Sequence, residues 1–364
     1  MQMRKIVKLG FLISLIVIPG YFPSCDYPVG QHQYDNAIRK SRRLIDSIRQ
    51  STQVPGIDLA VSIEGQVVWS EAFGYADLEH RTPVVAGVTK FRIGSVSKAL
   101  TATSLGKLID ESKLDLKKKI QFYVPEFPEK QYSIYIRQVA AHTSGLRSYK
   151  SEQEYLQTDY FPNVGSTMAF FAEDSLEFEP GTRFGYTTLG YNVLAAVIES
   201  ASGIPYLDYM QKAVFEPLNM KSTCADRNDK IITNRTSFYS LDSANSLVNA
   251  PYVNNSYKWA GGGFLSTTHD LIKLGEAYLN QDYLSEKTIR LLTTPQKLKD
   301  GTLLKYGLGW YCTPDEISHP GGAVGGIAEF KIFKKDKLII VMLSNLSKMN
   351  YEKEVDRIAK FFLE

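Results

Sequence analysis

The chain has 364 residues, of which 44% are hydrophobic and 12% aromatic, and its formal net charge is +3. This apolar content excludes an intrinsically disordered chain and suffices for two domains or one large two-lobed unit. Residues 1–24 hold three of the positive charges and no acidic residue, which leaves a net charge of zero on the rest, and nothing there indicates a nucleic-acid partner.

The first segment has the pattern of a secretory signal peptide. Three basic residues precede an apolar stretch, Leu9–Ile18, that is shorter than the stretch a transmembrane helix needs. Ser24 and Cys25 follow at a small-residue site. We therefore divide the chain into a signal peptide, residues 1–24, and one folded domain, residues 25–364. Lipidation of Cys25 would make the protein a membrane-anchored lipoprotein; simple cleavage and an uncleaved anchor are the alternatives. The pattern indicates export, to the periplasm of a bacterial cell.

The two ends of the remaining chain predict strands flanked by helices. Apolar periodicity and turn residues predict a helix over Gln33–Gln50, strands over Ile57–Ile63 and Val67–Phe73, strands over Glu329–Phe333 and Leu338–Leu343, and a last helix over Tyr351–Leu363. The segment between them, from Ser95 to about Leu292, is mostly helical by the same criteria. We therefore expect an α+β fold, in which N- and C-terminal segments form one antiparallel sheet flanked by helices, with an inserted, mainly helical lobe and a cleft between the lobes.

A candidate nucleophile stands where the first helix of this lobe begins. Ser95 follows Gly94, and Lys98 comes three residues later, so that on a helix the amine would reach the hydroxyl. Serine needs an adjacent base to attack a carbonyl, and lysine can be that base where burial and neighbouring charge lower its pKa. The free N–H groups of a helix N-terminus also favour negative charge there. The spacing suits acyl transfer, and a simple N-terminal cap is the alternative role of Ser95.

The same spacing occurs again at Ser104 and Lys107. Ser104 lies nine residues after Ser95, which at about 100° per residue places it on the opposite face of the same helix. The two serines cannot both face one cleft, and Ser95 has the helix-start position. We interpret Ser104 as a packed or exposed helix residue.

Two later segments supply further candidates. Tyr186 lies at a junction between a turn and a predicted helix, Tyr191–Ser200, and could point into a cleft; with 22 tyrosines in the chain, a place in the core or rim is the alternative. His319 precedes Pro320 and a glycine-rich run that lets a substrate approach the backbone, and a satisfied turn histidine is the alternative. Because proline cannot sit inside a hydrogen-bonded ladder, we predict this strand at a sheet edge that faces an opening.

These segments together resemble the motifs of the serine β-lactamase and penicillin-binding protein superfamily. In order, Ser-x-x-Lys is matched by Ser95-x-x-Lys98, Tyr-x-Asn by Tyr186-Thr187-Thr188, and Lys/His-Thr-Gly by His319-Pro320-Gly321. Within the superfamily, segments such as Tyr123–Lys130 and Asn255–Trp259 are similar to the mitochondrial serine β-lactamase-like proteins and their bacterial relatives. The resemblance runs from about Val54 to Asn345. It implies a β-lactamase/transpeptidase-like fold and a β-lactamase-related serine hydrolase domain over residues 25–364.

The resemblance also implies a role for each site residue. Ser95 would be acylated, and Lys98 and Tyr186 would share the proton transfers. The backbone N–H groups of Ser95 and Gly322 would bind the oxyanion. His319 would sit beside the substrate and tune the charge near Lys98 and Tyr186.

Two positions depart from the family pattern. Thr188, in the substrate-binding motif, replaces an asparagine amide by one hydroxyl, and Pro320 removes a hydroxyl that commonly helps to hold the carboxylate of a penicillin-like substrate. Both changes favour a serine hydrolase of peptides, other amides or esters, foremost a peptidase that works through an acyl-enzyme. A β-lactamase, an esterase and a slowly acylating penicillin-binding or sensor protein with little turnover are the alternatives.

Other kinds of site have less support. A Ser-His-Asp hydrolase would use His142 or His319 as base, but the chain lacks Gly-x-Ser-x-Gly, and His142 matches a family turn that we interpret as structural. No pair of cysteines or histidines has zinc-ligand spacing, so we expect neither metal nor cofactor, and the expected partner is a peptide, amide or ester substrate. Whether Cys224 and Cys312 pair is left open.

Overall fold

The computed structural model describes residues 31–364, so the predicted signal peptide and Cys25 lie outside the described residues. The helices are α1 (Asp35–Thr52), α2 (Ser97–Asp110), α3 (Ile120–Tyr123), α4 (Ile136–Ala140), α5 (Glu152–Tyr155), α6 (Val164–Met168), α7 (Gly190–Ser202), α8 (Tyr206–Met210), α9 (Trp259–Gly262), α10 (Thr268–Asn280), α11 (Glu286–Thr293) and α12 (Glu352–Leu363). The strands are β1 (Gly56–Ile63), β2 (Gln66–Asp77), β3 (Thr82–Pro83), β4 (Phe91–Arg92), β5 (Cys224–Ala225), β6 (Tyr239–Leu241), β7 (Leu247–Asn249), β8 (Phe264–Ser266), β9 (Tyr311–Cys312), β10 (Glu316–Ala323), β11 (Gly326–Phe333) and β12 (Leu338–Ser344).

One seven-stranded sheet joins the two ends of the chain, in the order β3-β2-β1-β12-β11-β10-β9. β1 pairs antiparallel with β12, from Ile57 opposite Ser344 to Ile63 opposite Leu338. The two predicted hairpins, β1-β2 and β11-β12, are therefore neighbours in one sheet. The predicted α+β fold, with a sheet built from both ends of the chain, is confirmed.

Both faces of the central strands are covered. Leu59 and Ile340 pack in the cluster formed by α1 and α12 on one face. Ala60 and Val341 belong to the larger cluster on the other face, which contains α2 and α7. Because neither face of β12 meets water, its run Leu338–Leu343 is apolar throughout and does not alternate with polar residues.

The inserted lobe contains α2, α7, α10 and α11, as the periodicity predicts, together with short strands. β4, β8 and β5 form a three-stranded sheet, and β6 pairs with β7. These strands have two or three residues each, which is too short to produce a period in the sequence. Within residues 31–364, no helix combines the length and the hydropathy needed to cross a membrane.

The sheet order places β9 at the edge, next to β10, so the edge position predicted from Pro320 holds only for the part of β10 around that residue. β9 pairs with β10 only at Ile317 and Ser318, so that Pro320 lies beyond the last paired residue on that side. Here β10 instead passes the turn before α2: a Cβ at Gly321 would collide with the backbone carbonyl of Ile93. This end of β10 is therefore packed directly against the candidate nucleophile.

Candidate active site

Ser95 lies on a 3-10 turn, Gly94–Val96, immediately before α2. The turn requires glycine at its first position, because Gly94 has a φ of +48° and a Cβ there would stand 2.5 Å from the carbonyl oxygen of Gly322. The alternative role of Ser95 as a helix cap is wrong, since neither the turn nor α2 has a side-chain cap. Ser104 is buried and donates its hydroxyl hydrogen bond to the carbonyl of Thr101, as expected for a packed helix residue.

Lys98 is fully buried, and its Nζ contacts three neutral oxygens. They are Ser95 Oγ at 3.2 Å, Thr188 Oγ1 at 3.2 Å and the backbone carbonyl of Gly261 at 2.6 Å. Among the described residues, no carboxylate forms an ion pair with Lys98. Burial, and secondly the charge of Lys258, lowers the pKa of Lys98 well below its ordinary value.

The three contacts suit a neutral amine. Its two N–H bonds can donate to the Gly261 carbonyl and the Thr188 hydroxyl, while its lone pair accepts from the hydroxyl of Ser95. A neutral Lys98 in this arrangement would hold the Ser95 proton by a hydrogen bond. The geometry would allow Lys98 to act as a general base for Ser95.

Tyr186 covers the same amine from another side. Its ring centre lies 4.8 Å from Lys98 Nζ. Burial raises the pKa of the Tyr186 phenol well above its ordinary value, although a hydrogen bond with Ser95 opposes the shift. The phenol is therefore protonated at neutral pH and can donate a proton near Ser95.

The backbone of Gly322 lies beside the nucleophile turn and faces open space. Gly322 is exposed, and a Cβ built on it would meet nothing within 4 Å. Its neighbours Gly321 and Ala323 are buried, because alternate residues of β10 point to opposite faces. A substrate carbonyl can thus approach this point of the strand next to Ser95.

The side chain of His319 is only 1% exposed, so the structure does not present it on an open surface beside a substrate, as the motif resemblance implied. Nδ1 donates to the carbonyl of Pro320 at 2.7 Å, and Nε2 accepts from the hydroxyl of Tyr306 at 3.1 Å. Burial, and secondly the charge of Lys98, lowers the pKa of His319 to about 3. His319 is therefore neutral with both nitrogens engaged, and it supplies no positive charge to the cleft.

Thr188, predicted as a substrate-binding residue, is buried and directs its hydroxyl to Lys98. The preceding Thr187 has a structural role: its hydroxyl donates to the carbonyl of Arg147 and accepts from the N–H of Gly190 at the start of α7. The structure thus places the Thr188 hydroxyl in contact with the Lys98 amine, which this hydroxyl helps to orient.

His142 is a structural residue in this geometry. Its Nδ1 accepts from the backbone N–H of Thr187 at 3.2 Å, and its ring lies 4.2 Å from that of Tyr186, centre to centre. Burial lowers its pKa well below the ordinary value, and the charges of Lys98 and His319 lower it further. No hydrogen bond joins it to Ser95 within the described chain, so it is not placed as the base.

Sequence reasoning missed two contacts of the site, those of Gly261 and Tyr306. Gly261 acts through its backbone carbonyl, which no residue type reveals, although it lies in the conspicuous run Gly261–Gly263. Tyr306 and His319 are brought into contact by the fold, and no local sequence pattern shows this contact. The open question about Cys224 and Cys312 is answered: both are free thiols.

The fold and the serine–lysine pair are those of the serine hydrolases that include β-lactamases and penicillin-binding proteins. A family model described as Beta-lactamase matches residues 41–363. The human serine beta-lactamase-like protein LACTB, mitochondrial, is 36% identical over 83% of this chain and 73% of its own length. Penicillin-binding protein 4* of Bacillus subtilis is 25% identical over 90% of this chain and 76% of its own. The chain therefore belongs to the β-lactamase family.

A solved structure agrees with this assignment. The octameric penicillin-binding protein homologue from Pyrococcus abyssi superposes with a TM-score of 0.76 at 26% identity, covering 90% of this chain and 77% of its own. The resemblance drawn from the motifs, the β-lactamase/transpeptidase-like fold and the class of serine hydrolase are confirmed.

Proposed function

We propose that the protein cleaves amide or ester bonds, foremost in peptides, through an acyl-enzyme on Ser95. The observation that carries this proposal is the Lys98 amine, which is buried, has no carboxylate partner among residues 31–364 and lies 3.2 Å from Ser95 Oγ. Only a base that is neutral at the working pH can take the serine proton, and burial without a counter-charge favours the neutral amine.

The acylation step follows from the same contacts. Ser95 Oγ bonds to the substrate carbonyl carbon while its proton passes to the Lys98 lone pair. The backbone N–H groups of Ser95 and Gly322 bind the oxyanion that forms. When the carbon–nitrogen or carbon–oxygen bond to the leaving group breaks, the phenol of Tyr186 protonates that group, and the Lys98 ammonium returns a proton to Tyr186.

Deacylation reverses the transfers with water in place of the leaving group. Water loses a proton to the Tyr186–Lys98 pair as its oxygen bonds to the acyl carbon, and Ser95 Oγ leaves with the returned proton. His319, neutral and doubly hydrogen bonded, takes part in neither step and holds the wall behind Tyr186.

The site favours peptides and simple esters over penicillins as substrates. Thr188 has no amide to offer a substrate, and its hydroxyl is already hydrogen bonded to Lys98. Pro320 offers no hydroxyl to a penicillin carboxylate. Solved structures with this fold include a protein named as an amidase. The D-amino acid amidase from Ochrobactrum anthropi superposes with a TM-score of 0.78 at 21% identity.

Labelling with a fluorophosphonate tests the proposal, because such probes react covalently with activated serines. Ser95→Ala should abolish labelling while the far-UV circular dichroism spectrum is retained. Ser104→Ala is the matched control, since it removes the serine of the other Ser-x-x-Lys sequence and should leave labelling intact. Labelling that persists in Ser95→Ala would overturn the assignment of the nucleophile.

We also propose that the protein is exported, on the basis of the signal-peptide pattern in residues 1–24. The human and mouse relatives carry the word mitochondrial in their names. Mass spectrometry of the N-terminus from membrane and soluble fractions distinguishes a lipidated Cys25 from simple cleavage. An unprocessed N-terminus in a cytosolic fraction would contradict export.

A further inference from the structure

The proposed oxyanion hole joins two backbone segments that are distant in the sequence. The N–H of Ser95 comes from the turn after β4, and that of Gly322 comes from the end of β10. The two backbones are in direct contact: a Cβ on Gly94 would stand 2.5 Å from the carbonyl oxygen of Gly322, and one on Gly321 would collide with the carbonyl oxygen of Ile93. The distance between the two N–H groups therefore depends on how these segments are held against each other.

The side chain of Arg92 connects the two segments. Arg92 lies in β4, three residues before Ser95, and is 5% exposed. Its Nη1 donates a hydrogen bond to the carbonyl oxygen of Val324 at 2.8 Å. Val324 follows Gly322 by two residues, in the turn between β10 and β11. One guanidinium group thus joins the strand that leads to the nucleophile to the turn beside the second N–H group.

A buried carboxylate fixes the orientation of this guanidinium. Nε of Arg92 donates to Oδ2 of Asp226 at 2.7 Å, and Asp226 is 1% exposed. The same Oδ2 accepts from the amide of Asn255 at 2.8 Å, and the backbone N–H of Asp226 donates to the carbonyl of Gly263 at 2.8 Å. A planar guanidinium bonded through two of its nitrogens to fixed acceptors has little freedom to rotate.

The turn between β10 and β11 is also held from a second direction. The N–H of Gly325 donates to Ser347 Oγ at 2.6 Å. The guanidinium carbon of Arg92 lies 3.7 Å from the ring centre of Phe238, and a Cβ on Gly325 would collide with that of Phe238. The turn is therefore fixed at both of its central residues, and the bond from Arg92 transmits that position to the nucleophile strand.

We infer that Arg92 is a positioning residue that sets the distance between the two N–H groups of the oxyanion hole. The inference rests on the proposed function, because it needs Ser95 and Gly322 as the donors. Oxyanion donors act through their geometry, and a displacement of about 1 Å can cost about 100-fold in rate. The negative oxygen forms only as Ser95 attacks, so a change at Arg92 should slow acylation without weakening the binding of the uncharged substrate.

Two esters that differ in one atom report on the oxyanion hole. 4-Nitrophenyl acetate develops a negative oxygen, whereas O-4-nitrophenyl thionoacetate develops a larger sulfur anion, and sulfur is a weaker hydrogen-bond acceptor. Release of the nitrophenol chromophore gives kcat/KM, which reports on acylation, for each ester. Each value is divided by the rate constant of that ester with hydroxide alone. The ratio of the two results is the oxygen preference of the enzyme.

Arg92→Lys is the first variant for this test. Lysine keeps the positive charge beside Asp226, but a single ammonium does not reproduce the fixed pair of donors that reaches both Asp226 and Val324. The oxygen preference should fall by about 10-fold to 100-fold. Gly322→Pro, which deletes one N–H group itself, should lower it at least as much.

A second variant removes the whole ion pair. Arg92→Met combined with Asp226→Asn leaves neither charge buried without its partner, so this protein should fold even where Arg92→Lys does not. It should show the same loss of oxygen preference. Because the preference is a ratio within one variant, a loss of folded protein does not imitate this result.

Arg147→Lys is the matched control. Arg147 is also 5% exposed and forms ion pairs with Glu154 and Asp174. The hydrogen bonds of its guanidinium go to residues 148–174, away from both segments of the oxyanion hole. This variant should keep the native oxygen preference, whatever it loses in stability.

Several outcomes would overturn the role of Arg92 while fluorophosphonate still labels Ser95. They are an unchanged oxygen preference in both Arg92 variants, an equal fall in kcat/KM for the two esters, and no oxygen preference in the native protein. A preference that survives in Gly322→Pro would remove one donor and the inference with it. Absence of both hydrolysis and labelling at Ser95 in the native protein would instead overturn the proposed function itself.

Discussion

Two buried lysines in different regions of this molecule have opposite surroundings. Lys98, in the cleft, contacts only neutral oxygens. Lys331, on β11, forms an ion pair with Asp356 of α12, and Glu316 and Glu352 lie at 3.7 Å and 4.0 Å. Burial lowers the pKa of both lysines, but at Lys331 the hydrogen bond with Asp356 and the other negative charges outweigh it and raise the pKa.

Burial alone therefore does not make a lysine a base. A buried ammonium with carboxylate partners is a structural cation, whereas a buried amine with only hydroxyl and carbonyl partners is free to accept a proton.

The largest effect is expected at Lys98. Lys98→Met removes the base and should slow both labelling of Ser95 and hydrolysis by about 100-fold to 10,000-fold. Lys98→Arg should be equally poor, because a guanidinium is not deprotonated in proteins. Thermal unfolding should show that Lys98→Met keeps its fold, since no ion pair is lost. A Lys98→Met protein that labels at the native rate would contradict the role of Lys98.

The next effect concerns the backbone of Gly322. Gly322→Pro deletes the N–H that we assign to the oxyanion and should lower kcat by about 100-fold to 1,000-fold. Gly322→Ala keeps the N–H, and its Cβ meets nothing within 4 Å, so it should retain most of the activity. Steady-state kinetics on a nitrophenyl ester compares the two. Similar rates for both variants would remove Gly322 N–H from the mechanism.

Lys331→Met should affect stability and spare the chemistry. Removal of the ammonium leaves three carboxylates close together, but they are partly exposed, so we expect a loss of about 1–2 kcal/mol. Urea unfolding measures this loss, and labelling of Ser95 should stay within about twofold of the native rate since Lys331 does not contact the cleft. A large loss of labelling in a folded Lys331→Met protein would show that the two regions are coupled.

The smallest effect is on the pH dependence of stability, and its sign differs between the two lysines. The pKa of Lys98 is lowered in the folded state, so the unfolded chain binds more protons and stability rises with pH from that lowered value up to the ordinary pKa of 10.5. The pKa of Lys331 is raised, so its contribution is full below 10.5 and is lost above it.

Urea unfolding of Lys98→Met and Lys331→Met at several pH values separates these contributions. The rise below pH 10.5 should be smaller in Lys98→Met, and the fall above it smaller in Lys331→Met. Identical pH profiles in both variants would contradict the contrast.

Local patterns in the sequence predicted the frame of the fold and brought out the candidate nucleophile. The amphipathic helices α1 and α12 carry a helical period, a turn separates the apolar runs of β1 and β2, and Ser95 and Lys98 are only three residues apart. The restriction on Pro320 also predicted from one residue that β10 is unpaired on one side at this point, although β9 lies at the edge of the sheet.

Contacts between distant segments could not be predicted in the same way. Nothing local shows that the carbonyl of Gly261 reaches Lys98, or that Tyr306 occupies Nε2 of His319. The pKa directions of Lys98 and Lys331 depend on these partners, which α9, α12 and β10 bring together only in the folded chain. The sequence therefore identifies candidate residues more readily than their charge states.

The pH dependence of fluorophosphonate labelling at Ser95 tests the central claim most directly, because it reports when Lys98 becomes a neutral base. The rate should rise with a single ionisation at a pH well below 10.5, the ordinary pKa of lysine, and then level off, and Lys98→Met should lack this step. A rate that keeps rising through pH 10.5, or the same profile in Lys98→Met, would contradict the assignment of Lys98 as the base.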